Sequence, residues 1–361
     1  MVDESARIGK VHVRAVRVPL PVPHNTASGA VTESPLVLTD VECDDGSRGR
    51  SIVFTYTAAA LKPVAELVAA FGDWITGDAA APLDVEQKLA RRLRLLGPQG
   101  LTGMAAAAID MALWDAAARR SQLSLAGLLG GTARLLDAYG AVGYDGVEVS
   151  ARTAGQWARL GFKGVKAKIG YPSVDTDIAV IRAMRAETGP DVAIMVDYNQ
   201  CLTPTEAIQR MKILDAEGLT WVEEPTLAHD YEGHAQVARA AVTPIQCGEN
   251  WWGTLDLRHA VQAQASDLLM LDVMKIGGVS GWLRGAALGH AHNLRISSHL
   301  WPEVSAQLLA VTPTAHWLEY ADWWNPVLKE PLVVSDGRAD FTGVIGSGID
   351  WDEGTIARLA A

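Results

Sequence analysis

Cysteine, positive charge and long apolar runs are scarce in this sequence, and each scarcity argues against a class of protein. Three cysteines occur in 361 residues, at positions 43, 201 and 247, without metal or redox spacing. Such usage favours a reducing compartment. The formal net charge of -11 disfavours nucleic acid and anionic membranes as partners. Asp110 and Asp115 interrupt the most apolar helix candidate, so we expect no membrane span.

Several well-known motifs are also absent. The chain contains no Walker loop, no G-x-G-x-x-G, no G-x-S-x-G and no H-E-x-x-H, so nucleotide-binding, serine-hydrolase and zinc-protease functions have no support. The first ten residues carry acids where a signal peptide carries bases. We therefore expect a cytoplasmic protein.

The first part of the chain has the pattern of a small α+β domain. Alternating apolar runs and an Asp45-Gly46 turn predict an antiparallel sheet, and helical patterns follow over 58–71, 84–96 and 101–119. We assign residues 1–130 to this capping domain. Residues 19–33 are rich in Pro, Thr, Ser and Gly, and we predict a loop there that serves as a lid.

From Leu136 onward the pattern becomes strand then helix, repeated, which is typical of a (β/α) barrel. We place the barrel at 131–324 and expect residues 325–361 to return to the cap. Eight strands are predicted, near 136–140, 164–168, 192–197, 220–223, 244–248, 267–271, 295–298 and 316–319.

The most informative feature is a series of single ionisable residues at successive strand ends, separated by 23 to 29 residues, the length of one βα unit. Barrels of this kind build their active sites where the strands end. The series consists of Lys168, Asp197, Glu223, Glu249, Asp272 and His299.

Three consecutive members, Asp197, Glu223 and Glu249, predict a metal site. Their carboxylates should converge and repel one another, and an all-oxygen set without Cys or His suits Mg²⁺. Side-chain alternation lets only one of Glu223 and Glu224 face the mouth, and the equal spacing favours Glu223. Asn199 leans to the same side and could hydrogen-bond to a metal ligand from behind. The alternative is a set of acids paired with Lys or Arg.

The remaining residues of the series predict proton-transfer groups. Lys166 and Lys168 face the same side, so each should lower the pKa of the other, which makes Lys168 a candidate base and leaves Lys166 to attract an anion. Asp272 can orient His299 and raise its basicity. The alternatives are solvated lysines and a packed histidine.

Lys168 and His299 come from the second and seventh strands, on opposite sides of the metal set. Two such bases can remove a proton from one face of a carbon and return it on the other. A carbon acid beside a carboxylate is so weak that the enediolate must be stabilised electrostatically, by the metal, Lys166 and Glu319. We therefore expect a small-molecule carboxylate as substrate.

The sequence closely resembles the mandelate racemase branch of the enolase superfamily over nearly its whole length. The matching segments are KAKIGYP, IMVDYNQ, TWVEEPTLAHDYEGH, CGENW, MKIGGVSGW, SSHL and TPTAHWLEY.

The resemblance implies a (β/α)₇β-type TIM barrel with an N-terminal α+β capping domain, Mg²⁺ on the three carboxylates, and a homo-octamer. It further implies Lys168 as base for the S enantiomer and the Asp272-His299 pair for the R enantiomer. Lys166 would hold the substrate carboxylate and Glu319 would act on it as general acid. Lys275 matches a family lysine near the pair, whose role stays open.

The chain departs from the family at Ala141, where mandelate racemase has a serine that contacts the substrate carboxylate. It also departs in the lid, where Pro23, His24 and Asn25 would present different side chains to the far end of the substrate. Four residues resemble the family's apolar pocket, although they could be core: Phe54, Tyr56, Leu300 and Trp301.

We predict racemisation or epimerisation of a 2-hydroxycarboxylate. The alternatives are an acid-sugar dehydratase that uses the same enediolate, and a barrel that binds a ligand without turnover.

Overall fold

The computed structural model of the chain describes residues 6–26 and 29–361. It contains a three-stranded antiparallel sheet with helices, followed by a parallel barrel and a C-terminal segment. The first part consists of β1 (Ile8–Thr26), β2 (Gly29–Cys43), β3 (Arg48–Phe54), α1 (Ala58–Ile75), α2 (Pro82–Arg92), α3 (Gly100–Arg120) and α4 (Leu125–Leu128).

The barrel alternates strands and helices in the predicted order. Its elements are β4 (Leu136–Val142), α5 (Gly146–Arg159), β5 (Gly164–Lys168), α6 (Val174–Thr188), β6 (Ala193–Asp197), α7 (Pro204–Leu214), β7 (Trp221–Glu223), α8 (Tyr231–Ala240), β8 (Ile245–Cys247), α9 (Gly253–Ala263), β9 (Leu268–Asp272), α10 (Gly278–Ala291), β10 (Arg295–His299), α11 (Pro302–Ala310) and β11 (Leu318–Tyr320).

Strands β4 to β10 are parallel neighbours in chain order, and β11 pairs with β4. The circle closes between β10 and the segment leading into β11, where His316 N donates to Ile296 O at 2.7 Å and Ser298 N to Trp317 O at 3.0 Å. The predicted fold class, a TIM-type barrel with a capping domain, is confirmed. All eight strands lie within a few residues of their predicted positions.

Local sequence signals explain the individual elements. Helix α7 begins after Thr203, whose side chain accepts from Glu206 N while the Glu206 carboxylate accepts from Thr203 N, a complete capping box. Pro204 occupies the first turn, where its missing N–H costs nothing. Such caps fix where each helix starts, and therefore how long the loop at the barrel mouth can be.

The prediction of a loop over residues 19–33 is wrong. The hairpin of β1 and β2 continues through this segment, with His24 opposite Val31 and Asn25 opposite Ala30; residues 27 and 28 lie outside the described part. Three prolines misled the prediction: Pro19, Pro21 and Pro23. They are tolerated because β1 is an edge strand and the register shifts between Pro19 and His24.

The C-terminal segment contains a 3₁₀ turn (Asn325–Val327), β12 (Val333–Ser335), β13 (Arg338–Asp340) and α12 (Glu353–Leu359). Strand β13 pairs antiparallel with the start of β4. Further on, the Trp351 indole donates to Asp40 Oδ1 at 2.7 Å and Ala361 N donates to Ala15 O at 3.0 Å. The segment thus runs back against the N-terminal sheet. None of the helices in the described ranges is long and apolar enough to cross a membrane.

Candidate active site

Three carboxylates meet where β6, β7 and β8 end. Asp197 and Glu223 are the last residues of their strands, and Glu249 follows β8 by two residues. One oxygen from each lies within 4.8 Å of the others, and all three side chains are buried. The structure therefore gathers the predicted metal ligands, with Glu223 rather than Glu224 in the cluster.

Side chains inside the barrel orient Glu223 by hydrogen bonds. Its Oε2 accepts hydrogen bonds from the indole of Trp221 at 3.0 Å and from the amide of Gln246 at 3.3 Å, while its Oε1 accepts from Lys166 Nζ at 2.7 Å. Strand alternation places Trp221 on the same side as Glu223. One oxygen is therefore fixed and the other faces the cluster.

The other two carboxylates are also oriented by hydrogen bonds. Asp197 Oδ1 accepts from Asn199 N at 2.7 Å, and the Asn199 side chain reaches Asp197 Oδ2 at 3.0 Å. Glu249 Oε1 accepts from the amide of Asn250 at 3.2 Å. The same amide lies 2.9 and 2.8 Å from the two oxygens of Glu224, which is why that buried residue faces away from the cluster.

This donor set fits a divalent cation. The Oε2 atom of Glu249 is buried and has no hydrogen-bond partner within the described residues, which leaves a costly unsatisfied acceptor unless a ligand binds it. Three hard oxygen ligands with room for waters match the preference of Mg²⁺. Asp197, Glu223 and Glu249 are the residues that would hold the ion.

Both predicted lysines pair with the cluster. Lys168 Nζ lies 2.5 Å from Asp197 Oδ2, and Lys166 Nζ lies 3.0 Å from Glu319 Oε1 as well as close to Glu223. The predicted alternative of solvated lysines is wrong, because Lys166 is fully buried and Lys168 is largely so.

The predicted lowering of the lysine pKa values is not what the site produces. Burial lowers the pKa of Lys168 and Lys166 lowers it further, but the carboxylates of Asp197, Glu249 and Glu223 together outweigh both, and the net shift is upward. The pKa of Lys166 is likewise raised well above its usual value, because Glu223 and Glu319 outweigh burial. A cation bound to these carboxylates would oppose their effect on the lysines.

His299 and Asp272 form the predicted pair at the ends of β10 and β9. His299 Nδ1 lies 2.7 Å from Asp272 Oδ2, and Met274 N and Lys275 N both donate to Asp272 Oδ1 at 2.9 Å. Burial lowers the pKa of His299, but Glu249, Asp272 and Glu319 raise it to a net value above the usual one. The Nε2 atom is left facing Glu249 Oε2 at 3.5 Å.

Glu319 lies between Lys166 on one side and His299 on the other. Its Oε1 faces Lys166. Its Oε2 accepts a hydrogen bond from Leu300 N at 3.0 Å and lies 3.8 Å from His299 Nε2. Burial raises its pKa, but Lys166 and His299 lower it to a net value below the usual one. Glu319 is therefore ionised at neutral pH in this arrangement.

A cavity of about 430 Å³ opens above these groups. Its walls combine the charged groups with an aromatic and aliphatic surface that includes Phe54, Tyr56 and Leu300. The remaining lining residues are His24, Thr26, Val31, Met104, Ala141, Lys166, Lys168, Asn199, Gln200, Glu249, Asn250, Trp252, Lys275, His299, Glu319 and Trp323.

Trp301 was predicted in this pocket, and that prediction is wrong. Its indole is buried, donates to Ile52 O at 2.9 Å and stacks near Trp324, so it joins the barrel to the cap instead of lining the cavity. Its left-handed backbone, with φ of 46°, turns the side chain away. The family resemblance suggested the pocket, but the strand ends at His299, and the alternative that Trp301 belongs to the core describes its position.

Lys275, whose role was left open, extends along the cavity wall. Its Nζ donates to Asn250 Oδ1 at 2.5 Å and lies 4.6 Å from the centre of the Tyr56 ring. The Tyr56 hydroxyl donates to Asp272 Oδ2 at 3.2 Å.

Several residues of the site were missed by sequence reasoning: Trp221, Gln246, Asn250, Met104, Trp252 and Trp323. Trp221 and Asn250 could have been found, because one lies two residues before a predicted ligand and the other next to one. Met104 and Trp323 reach the site only through packing of the cap on the barrel, which leaves no local pattern. His24 was expected to face the substrate from the lid, and it lines the cavity.

Comparison with known proteins places this geometry in a class. Residues 148–355 match the family described as enolase C-terminal domain-like, and residues 8–130 match the mandelate racemase / muconate lactonizing enzyme N-terminal domain. The fold and the site thus define an enzyme of the enolase superfamily. Within it, the chain belongs to the mandelate racemase / muconate lactonizing enzyme family.

Similar relatives differ in the reactions for which they are named. A solved enolase from Bradyrhizobium, complexed with magnesium and mandelic acid, shares 42% identity over 100% of both chains with a TM-score of 0.96. L-talarate/galactarate dehydratase of Salmonella typhimurium is 31% identical over 85% of this chain and 78% of its own. D-galactarolactone cycloisomerase of Agrobacterium fabrum is 31% identical over 95% and 96%.

Proposed function

We propose that this protein is a Mg²⁺-dependent enzyme that removes the α-proton of a 2-hydroxycarboxylate and returns it on the opposite face, which racemises or epimerises the substrate. The observation that carries this proposal is that Lys168 and His299 line one cavity from strands on either side of the carboxylate cluster. Two bases flanking one carbon are what a two-sided proton transfer needs.

Each base has a defined role in this proposal. Lys168 takes the proton from the S enantiomer, and His299 Nε2 takes it from the R enantiomer while Asp272 holds the other ring nitrogen. Each base in its protonated form then delivers a proton to the opposite face. Lys275 N and Met274 N keep the Asp272 carboxylate in place, so the imidazole is oriented before substrate binds.

Charge on the enediolate is stabilised by groups that already surround the carboxylate position. Lys166 supplies a buried positive charge, and Glu319 lies 3.0 Å from it. A substrate carboxylate beside Glu319 would raise the pKa of Glu319 by like-charge repulsion, which lets it donate a proton or hydrogen bond as general acid. When bound, Mg²⁺ supplies Lewis-acid stabilisation of the same developing charge.

The apolar wall suggests what the substrate carries at its far end. Phe54, Trp252, Trp323, Met104 and Val31 line the cavity, and a surface of this kind suits an aryl or branched group. The Bradyrhizobium relative is complexed with mandelic acid. We therefore place aryl 2-hydroxy acids first among candidate substrates.

A second function is supported by the polar part of the same cavity. Gln200, Asn250, Lys275 and His24 also line it, and acid-sugar dehydratases are among the relatives. In that case the same enediolate would expel a β-hydroxyl with protonated His299 as acid.

One experiment separates the two functions. A panel of 2-hydroxy acids and sugar acids is incubated with enzyme and Mg²⁺ in D₂O and followed by NMR and polarimetry. We expect α-proton exchange with inversion for aryl 2-hydroxy acids. Formation of a 2-keto acid from a sugar acid would favour dehydration, and the absence of both products across the panel would contradict the proposed function.

We also propose that the protein acts in the cytoplasm as a homo-oligomer, an octamer. The cysteine usage and the family resemblance support this. Light scattering after size-exclusion chromatography gives the mass directly, and a monomeric mass would contradict the octamer.

A further inference from the structure

One wall of the cavity lacks a hydrogen-bond donor where a donor would be useful. Ala141, near the end of β4, lines the cavity together with Lys166, Lys168 and Glu319. The methyl group of Ala141 cannot donate to a ligand. A carboxylate held near Lys166 and Glu319 would therefore have one side facing an apolar surface, and an oxygen left unpaired there is costly.

Strand β1 brings His24 into the same cavity. Its neighbour Asn25 is tied to the loop that directly follows β4: Tyr144 N donates to Asn25 O at 2.7 Å, and the Asn25 amide donates to Asp145 Oδ1 at 2.7 Å. These two hydrogen bonds hold Asn25 against the loop that begins shortly after Ala141 in the chain.

The His24 ring is held by packing and has free polar atoms. It lies 5.1 Å from the Trp323 ring, measured between centroids, and it lines the cavity. Within residues 6–26 and 29–361 no hydrogen bond is made by either ring nitrogen. A ring clamped on one face with unused nitrogens is well placed to bind a ligand.

The charges around His24 keep the ring neutral. Its pKa is lowered to about 4, first by burial and then by the charges of Lys168 and Lys166, while Glu319 opposes them. Lys166, Lys168 and Glu319 also line the cavity that His24 lines. A neutral imidazole offers one N–H donor and one acceptor.

We propose that His24 donates a hydrogen bond to the substrate carboxylate and so supplies, from the capping domain, the donor that Ala141 does not provide. This inference rests on the proposed function, since it concerns the same bound acid. It makes binding of the carboxylate depend on the hairpin being in place.

The test compares two substitutions of matched kind. His24→Phe keeps an aromatic ring against Trp323 but removes the donor, whereas His24→Gln keeps a donor of similar reach. With an aryl 2-hydroxy acid, we expect kcat/KM to fall about 100-fold in the Phe variant, the usual effect of losing one such donor, and to fall much less in the Gln variant. Thermal unfolding and Mg²⁺ affinity should match those of the unsubstituted enzyme in both.

A rescue experiment identifies the position of the missing bond. In the His24→Phe background, adding Ala141→Ser places a hydroxyl on the same wall, and we expect kcat/KM to recover at least tenfold. The same serine in the presence of His24 should give a much smaller gain. Equal effects of the serine in both backgrounds would overturn the inference, as would a Phe variant as active as the unsubstituted enzyme.

Ligand binding separates this inference from the proposed function. We would titrate 2-hydroxy-2-phenylpropanoate, which has no α-proton, into the Mg²⁺-loaded proteins by calorimetry. If the unsubstituted enzyme exchanges no α-proton, the proposed function fails, yet weaker binding to the Phe variant would still support His24 as a carboxylate ligand. Unchanged binding would show that His24 only packs on Trp323, and would overturn the inference.

Discussion

The indole of Trp221 donates to Glu223 Oε2 at 3.0 Å from two residues earlier on the same strand. The bond turns the other oxygen of Glu223 toward the carboxylate cluster, so a buried aromatic residue orients one of the three carboxylates that could hold a metal ion.

Removing this hydrogen bond should weaken magnesium binding. Trp221→Phe keeps a large ring in the barrel interior but frees Glu223 Oε2, and loss of such a partner typically costs 10–100-fold in metal affinity. We expect the Kd for Mg²⁺, measured by calorimetry, to rise about tenfold. Trp317→Phe is the control, since Trp317 packs in the same interior cluster and its indole makes no hydrogen bond in the described ranges. Equal Kd values for the two variants would contradict the role of Trp221.

The two bases should be separable by stereochemistry. Lys168→Ala should abolish α-proton exchange of the S enantiomer, and His299→Asn that of the R enantiomer, each with a loss of about 10³-fold or more in rate. The other enantiomer should still exchange with its remaining base. NMR of each pure enantiomer in D₂O measures this directly. Loss of exchange for both enantiomers in both variants would contradict the division of roles.

Magnesium should stabilise the folded protein through Glu249. Its Oε2 makes no hydrogen bond in the described residues and faces His299 Nε2 at 3.5 Å, so Glu249→Gln keeps the bond from Asn250 and loses the charge that a cation needs. At 100 times Kd, ligand binding contributes about 2.7 kcal/mol, which should raise Tm by a few degrees in the unsubstituted protein and by much less in Glu249→Gln. Glu303→Gln, a buried glutamate held by Trp324, should keep the full shift. Equal shifts in all three proteins would exclude Glu249 as a ligand.

A buried acid between cap and barrel should make stability depend on pH. Asp110 of α3 accepts from Ser280 N at 3.1 Å at the start of α10, and also bonds its hydroxyl. Burial raises the pKa of Asp110 to about 7, with Glu86 adding to the rise and Ser280 opposing it. Glu86 is itself paired with Arg284.

Between about pH 4 and pH 7 the unfolded chain loses a proton at Asp110 that the folded chain keeps, so this residue lowers stability as pH rises through that range. One pKa unit corresponds to about 1.4 kcal/mol. We expect Asp110→Asn to lack this loss, so that its free energy of unfolding gains a few kcal/mol on the unsubstituted protein between pH 4 and 7. Urea unfolding at several pH values measures it. A constant difference across the range would refute the assignment.

The strand ends could be predicted because their causes are local. The period of a βα unit and the alternation of side chains along a strand depend only on neighbouring residues. These two rules were enough to select Glu223 over Glu224 and to pair Asp272 with His299, and in the structure both selections correspond to short contacts.

The errors arose where distant parts of the chain meet. Residues 19–33 were taken as a loop because the edge position of β1 could not be known, and Trp301 was placed in the pocket because its left-handed backbone was not foreseen. The lysine pKa values were predicted too low because only Lys166 and Lys168 were considered. In the folded chain Asp197 lies 2.5 Å from Lys168 and outweighs its neighbour.

The sequence by itself determined the barrel, the order of its ionisable strand ends and the choice of hard oxygen ligands, because each follows from periodicity and residue chemistry within one βα unit. Only the tertiary structure decided which oxygens face the cluster, what charge each group carries, and that His24 from the capping domain lines the same cavity as Ala141. Those properties depend on distances between residues far apart in the chain, and on the removal of water around them, which no local pattern encodes.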